Sequence, residues 1–227
     1  PFRILNWHEV VNDTIGDLDF AATYCPLCGT ALAFNRNVNG QVLTFGVSGL
    51  LFLDNVLMYD HQTESLWSQL LLKSVTGPKF GTFLEWVISE QMIYRNWLEK
   101  YPDGKVLSTD TGHRRNYDRD PYAAYFLSPY LLFPVGDIRN DLDTKDWIYG
   151  VVINGEAIAF ARDGLPSGET FEHTFNGKTM SIIFNESSQN ILITDKETGD
   201  VIPGLWSFWF AWQAFHNDTA LLLEPVL

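Results

Sequence analysis

The sequence is short of sulfur and of positive charge. It holds two cysteines and three methionines in 227 residues. Two cysteines do not fix a redox compartment, and a core of this length folds without covalent staples. Fifteen Lys and Arg stand against 28 Asp and Glu, for a net charge of -13. A field of that sign repels phosphate backbones, which argues against a nucleic-acid partner, and it disfavours docking on anionic lipid. No run reaches the ~20 apolar residues of a membrane span; the most apolar stretch, Leu205 to Phe215, carries Ser207 and Gln213. No Pro/Ser-rich linker, low-complexity tract or long repeat divides the chain, so residues 1–227 read as a single globular domain. An export signal or anchor would lie upstream of Pro1. Walker and dinucleotide-binding patterns are missing as well.

What the sequence does have is apolar and aromatic residues, at 46% and 15%, enough for a well-packed core. Its strongest local signals are hairpins. Asn39-Gly40, Asn154-Gly155 and Asn176-Gly177 each separate two alternating segments. Asn and Gly tolerate the positive φ angles that a two-residue hairpin turn requires. Val56 to Asp60 with Ser65 to Gln69, and Ile191 to Thr194 with Asp200 to Ile202, read as further strand pairs. Helical spacing appears over Phe83 to Tyr101, ended by Pro102-Asp103-Gly104, with two weaker candidates at Leu205 to His216 and Ile4 to Val11. The expected fold is α+β and mainly β, with antiparallel, hairpin-rich sheets and two or three packed helices. Arg114 to Asp146 reads as long irregular loops.

The sharpest chemical feature is Cys25-Pro26-Leu27-Cys28-Gly29. Such a turn aims two sulfurs at one point, as in a thiolate metal knuckle, and the same spacing serves redox dithiols. A thioredoxin-like site puts its first Cys at a helix N-terminus. Here both flanks are strand-like, which favours the knuckle. Two thiolates fall short of the four ligands of structural zinc, so a metal must recruit others. His8 and His216 are the candidates, since His61 and His173 fall in or beside turns. Two soft thiolates with imidazole suit copper(I) first and zinc second. Met58, Tyr59, Asp60, Trp67 and Gln69 are candidates to orient the ligands. A disulfide or a pair of buried thiols accounts for the same cysteines equally well.

Three other motifs carry less. Asp110-Thr111-Gly112 copies an aspartic-protease tripeptide, but the second copy is missing and the surroundings are polar, so it reads as a turn. The acidic segments Asp118 to Tyr122 and Asp137 to Asp146 match a calcium loop only in part. Gly46-Val47-Ser48-Gly49 lacks nucleophile-elbow spacing and reads as a strand end with a tight turn.

Taken together, Ile4 to Asn12, Tyr24 to Leu32, Leu43 to Gly49, Met58 to Gln69, Asp110-Thr111-Gly112, Tyr117 to Tyr122 and Phe208 to His216 resemble the domain-of-unknown-function family 3179. The resemblance implies a prokaryotic, exported protein without an established activity, and it places His8, Cys25, Cys28 and His216 on family motifs. The leading expectation is therefore an extracytoplasmic protein binding copper or zinc through Cys25 and Cys28 with His216 or His8. A thiol–disulfide oxidoreductase using the same cysteines stays open. So does a non-enzymatic module that binds a small ligand or protein and keeps a structural cysteine pair.

Overall fold

Alternation of apolar and polar residues, punctuated by turn residues, gives a mainly antiparallel β protein with four short helices among the described residues, 1–225 of this computed structural model. The backbone contacts divide it into two units, each drawn from two stretches of chain.

The first unit comprises Pro1–Ser89 and Leu107–Ile138. Helix α1 (Phe2–His8) runs into β1 (Val10–Ile15), and β1, β2 (Leu18–Cys25) and β3 (Thr30–Asn35) form a sheet in that order. The strands β4 (Asn37–Val38) and β5 (Gln41–Val42) make a minimal hairpin. A second sheet follows chain order through β6 (Phe45–Phe52), β7 (Asn55–Asp60), β8 (Leu66–Ser68) and β9 (Lys73–Ser74). Strand β10 (Trp86–Val87) then pairs with the free edge of β3. Phe34, Phe45, Met58, Trp67 and Leu84 are central to this unit's core. Within it the Phe45 ring meets Phe34 and Trp67 edge to face at 5.0 and 5.7 Å.

The second unit comprises Glu90–Val106 and the chain from Arg139 onward. Helix α2 (Tyr94–Lys100) belongs to it, whereas α3 (Ala123–Phe126) lies in the irregular stretch of the first unit. Strands β11 (Trp147–Ile153) and β12 (Glu156–Ala161) form one Asn-Gly hairpin, and β13 (Thr170–Phe175) and β14 (Lys178–Asn185) another. β15 (Asn190–Asp195) completes a three-stranded sheet with the second hairpin. β16 (Gly204–Phe208) flanks β11, and helix α4 (Trp209–Phe215) follows it directly. β17 (Ala220–Leu222) pairs with β12 in parallel. The apolar faces of these strands, among them Phe160, Ile182, Phe184 and Trp206, build the second core.

The differences from the sequence reading have local causes. Of Phe83 to Tyr101 only α2 is helical. Trp86 and Val87 instead pair with Phe34 and Ala33, which satisfies backbone groups that a short isolated helix leaves exposed. Leu205 to His216 splits into a strand and a helix, because β11 offers the edge that β16 takes. The early helix starts at Phe2 and stops where Glu9 turns to φ 57°. The Asn39-Gly40 hairpin is shorter than its alternation suggests. Its paired strands stop at Asn37 and Val42, and one further backbone bond, from the Leu43 N–H to the Arg36 carbonyl, joins the arms beyond them. Gly46 to Gly49 is no strand end: a β-bulge between Val47 and Leu50 keeps β6 running, and the Ser48 hydroxyl donates to the Leu57 carbonyl.

Candidate functional site

Strand β2 ends at Cys25 and β3 starts at Thr30, so the knuckle residues form the turn of one hairpin. The Cys28 N–H donates to the Cys25 carbonyl at 3.2 Å, and Gly29 takes φ 69°, a left-handed conformation that favours glycine. No helix starts there to bias either thiol. Both thiols are free, and Cys25 and Cys28 are 1% and 0% exposed. They face one acceptor. The Asp54 carbonyl lies 3.3 Å from Cys28 Sγ and 3.9 Å from Cys25 Sγ. Asp54 belongs to the turn that joins β6 to β7, in which Leu53 and Asp54 have φ 51° and 62°. The tips of two hairpins therefore meet at the sulfurs.

A buried polar network backs this meeting point. Asn55 Nδ2 lies 3.6 Å from Cys28 Sγ and donates to Gln69 Oε1 at 2.9 Å. Gln69 Nε2 donates to Thr23 Oγ1 at 2.9 Å and to the Thr30 carbonyl at 3.2 Å, while Thr30 Oγ1 donates to Gln69 Oε1 at 2.7 Å. All four side chains are buried, so their mutual satisfaction is what makes such a network tolerable. From the other side the Tyr125 hydroxyl donates to the Leu27 carbonyl at 2.8 Å, inside the knuckle itself.

Burial governs the protonation of this region. It pushes the Cys28 thiol well above the usual range, the adjacent Cys25 adds to the effect, and the Asn55 N–H works against it. Burial first, then the neighbouring Asp54 and cysteines, raises Tyr125; burial and then Cys25 and Asp120 raise Tyr24. A group whose pKa rises on folding gives up its proton more readily once unfolded. Its stabilising effect is intact below the unfolded value, about 8.5 for Cys, and is lost as pH rises through the folded one. Burial lowers His8, His173 and His216, which has the opposite sign. Their effect is intact above about pH 6.5 and is lost as pH falls through the folded values. Thermal melts of the reduced, metal-free chain should therefore show a plateau between about pH 6.5 and 8.5, with declines on both sides. A melting temperature still rising from pH 9 to 10 would contradict the assignment.

The remaining candidates are spread more widely. His8 Nε2 lies 2.6 Å from the Tyr117 hydroxyl, which is also bonded to the Thr111 hydroxyl, and the His113 ring is 5.4 Å from that of His8. His216 belongs to the second unit, where it packs on Trp212 at 4.1 Å. Met58 and Trp67 are core residues; Trp67 Nε1 donates to Asp60, and Tyr59 stacks on His61. Of the five residues expected to orient ligands, Gln69 hydrogen-bonds into the network behind the thiols. Among the described residues no group of three or more His, Cys, Asp and Glu side chains is placed to hold a metal ion. Asp110 lies in an exposed turn, its N–H held by the Ser108 hydroxyl.

Sequence reasoning missed Asp54, Asn55, Thr23, Thr30 and Tyr125. Asp54-Asn55 between two apolar runs is a turn signal, and that was the one clue available. A family model described as a protein of unknown function, DUF3179, matches residues 1–202. That range takes in the knuckle, the polar network and His8, and leaves Phe208 to His216 outside. No curated protein and no solved structure matches.

Proposed function

We propose that this chain, which belongs to the DUF3179 family of proteins of unknown function, holds one soft metal ion between Cys25 and Cys28, copper(I) ahead of zinc. The observation that carries the reading is the convergence of both sulfurs on the Asp54 carbonyl in a site closed to solvent. Thiolates select soft cations, and copper(I) accepts two of them without further ligands. Zinc would need two more donors. His8 and His216 hold other contacts, and a two-sulfur copper(I) site does not require them. Binding would displace both thiol protons, after which the Asn55 N–H is positioned to stabilise the charged Cys28 sulfur. An extracytoplasmic, prokaryotic setting goes with this reading through the family resemblance.

Burial favours one other reading, a Cys25–Cys28 disulfide that staples the hairpin turn. Exchange with a partner protein's disulfide has less support, because it needs an accessible thiolate and neither sulfur is exposed.

Metal analysis by mass spectrometry, paired with thiol titration on protein purified without chelator or reductant, tests the proposal. About one copper per chain is expected, absent from Cys25→Ser and Cys28→Ser and retained by His216→Ala. Metal-free protein with no titratable thiol would establish the staple and overturn the metal reading.

A further inference from the structure

A second candidate site has a lining of its own. Helix α1 and the segment around residues 114–122 flank an open cleft of about 550 Å³, within the volume range of small-molecule sites. Asn6, Trp7 and Glu9 line one wall, with Arg114, Arg115 and Tyr122 on the other. No lining residue is a cysteine or a member of the polar network.

The chemistry of the walls is specific. Asn6 is 8% exposed; its Nδ2 donates to Asp120 at 3.1 Å, and its Oδ1 is buried without a hydrogen-bond partner. A buried acceptor left unmet is uncommon in a folded protein, and here it belongs to a residue of the cleft wall. Glu9 offers a second acceptor, from a left-handed backbone (φ 57°) that non-glycine residues adopt at a cost and that tends to persist at binding sites. Arg114 and Arg115 face these acceptors with donors only. The Arg115 guanidinium lies 5.9 Å over the Trp7 ring, and Arg114 has no carboxylate partner among the described residues. Two adjacent arginines at a cleft, in a chain of net charge -13, select an anion, and the guanidinium fork matches a carboxylate. Trp7 and Tyr122 supply flat surfaces for the carbon skeleton.

We propose that this cleft binds a small carboxylate that also carries O–H or N–H donors, with Arg114 and Arg115 on the carboxylate and Glu9 accepting from the donors, while Asn6 holds Asp120 in the cleft wall. Sugar acids and amino acids share that chemistry, and the test separates them. Isothermal titration of the wild-type chain with D-glucuronate and with L-glutamate is run against acetate, which lacks the donors, and D-glucose, which lacks the charge. At least one of the two acids is expected to bind ten-fold or more tightly than both controls. Its affinity should fall at least ten-fold in Arg114→Gln/Arg115→Gln, two exposed positions whose exchange leaves the core intact. No binding of either acid overturns the proposal. So does acetate binding as tightly as the acids, or unchanged affinity in the folded double variant. Should that variant not fold, the wild-type preference over acetate and glucose decides by itself.

Discussion

Trp67→Ala should lower the unfolding free energy by about 4 kcal/mol, the range for deleting a large aromatic side chain from a core. Trp67 is 0% exposed and sits against Phe45 and Met58. Its removal leaves a cavity among packed core side chains, which relax only in part. It also withdraws the indole N–H that lies 2.9 Å from Asp60 Oδ2. The Asp60 carboxylate is itself buried and, among the described residues, would keep only Thr63 as donor, through its backbone N–H and hydroxyl. Trp67→Phe separates the two effects, since it restores most of the volume but not the donor; a loss of about 1–3 kcal/mol is expected from it. Urea unfolding of both variants measures the difference. Equal losses would mean that the Asp60 bond, rather than packing, dominates at this position.

The second large effect is expected at Gln69→Leu, a change of similar size that removes two acceptor and two donor contacts from the buried network. Thr30 Oγ1 loses its acceptor, and Asn55 Nδ2 loses its 2.9 Å contact and keeps only longer ones. Stranding buried polar groups costs roughly 1–3 kcal/mol each, so about 3 kcal/mol in all is expected. The variant also has a consequence that a purely structural role would not produce. Without Gln69 the Asn55 amide keeps the Leu70 N–H on its Oδ1 at 3.2 Å but loses the close acceptor that orients its Nδ2 beside Cys28. Under the proposed copper site, copper should then bind at least ten-fold more weakly, read by competition with a chromophoric chelator. Loss of stability with copper affinity unchanged would show that the network supports the sheets and does not position the amide.

How legible this was depends on range. The hairpins at Asn154-Gly155 and Asn176-Gly177 could be read because the turn residues carry their own backbone preference. The knuckle could be read because four consecutive residues fix its shape. Leu205 to His216 could not be resolved, since a buried strand and a buried helix are both uniformly apolar; the choice was made by β11, more than fifty residues earlier. Asp54 and Asn55 signal a turn and nothing more. Their role exists only because the tip of one hairpin touches a sulfur 26 or 27 residues away. Gln69 stands out in the sequence, but its link to Cys28 runs through Asn55, which local pattern does not record.

The segment Glu90–Val106 sits within the span of the first unit yet belongs to the second. Its ties are there: the Ile93 N–H donates to the Ser188 carbonyl at 2.8 Å. Each unit is thus written in two instalments, interleaved along the gene. A stop codon placed after Ser89 or after Ile138 would deliver an incomplete first unit or an orphaned piece of the second. Recombination that moves whole modules between genes has no single breakpoint here, so this architecture can be inherited and duplicated only as one piece.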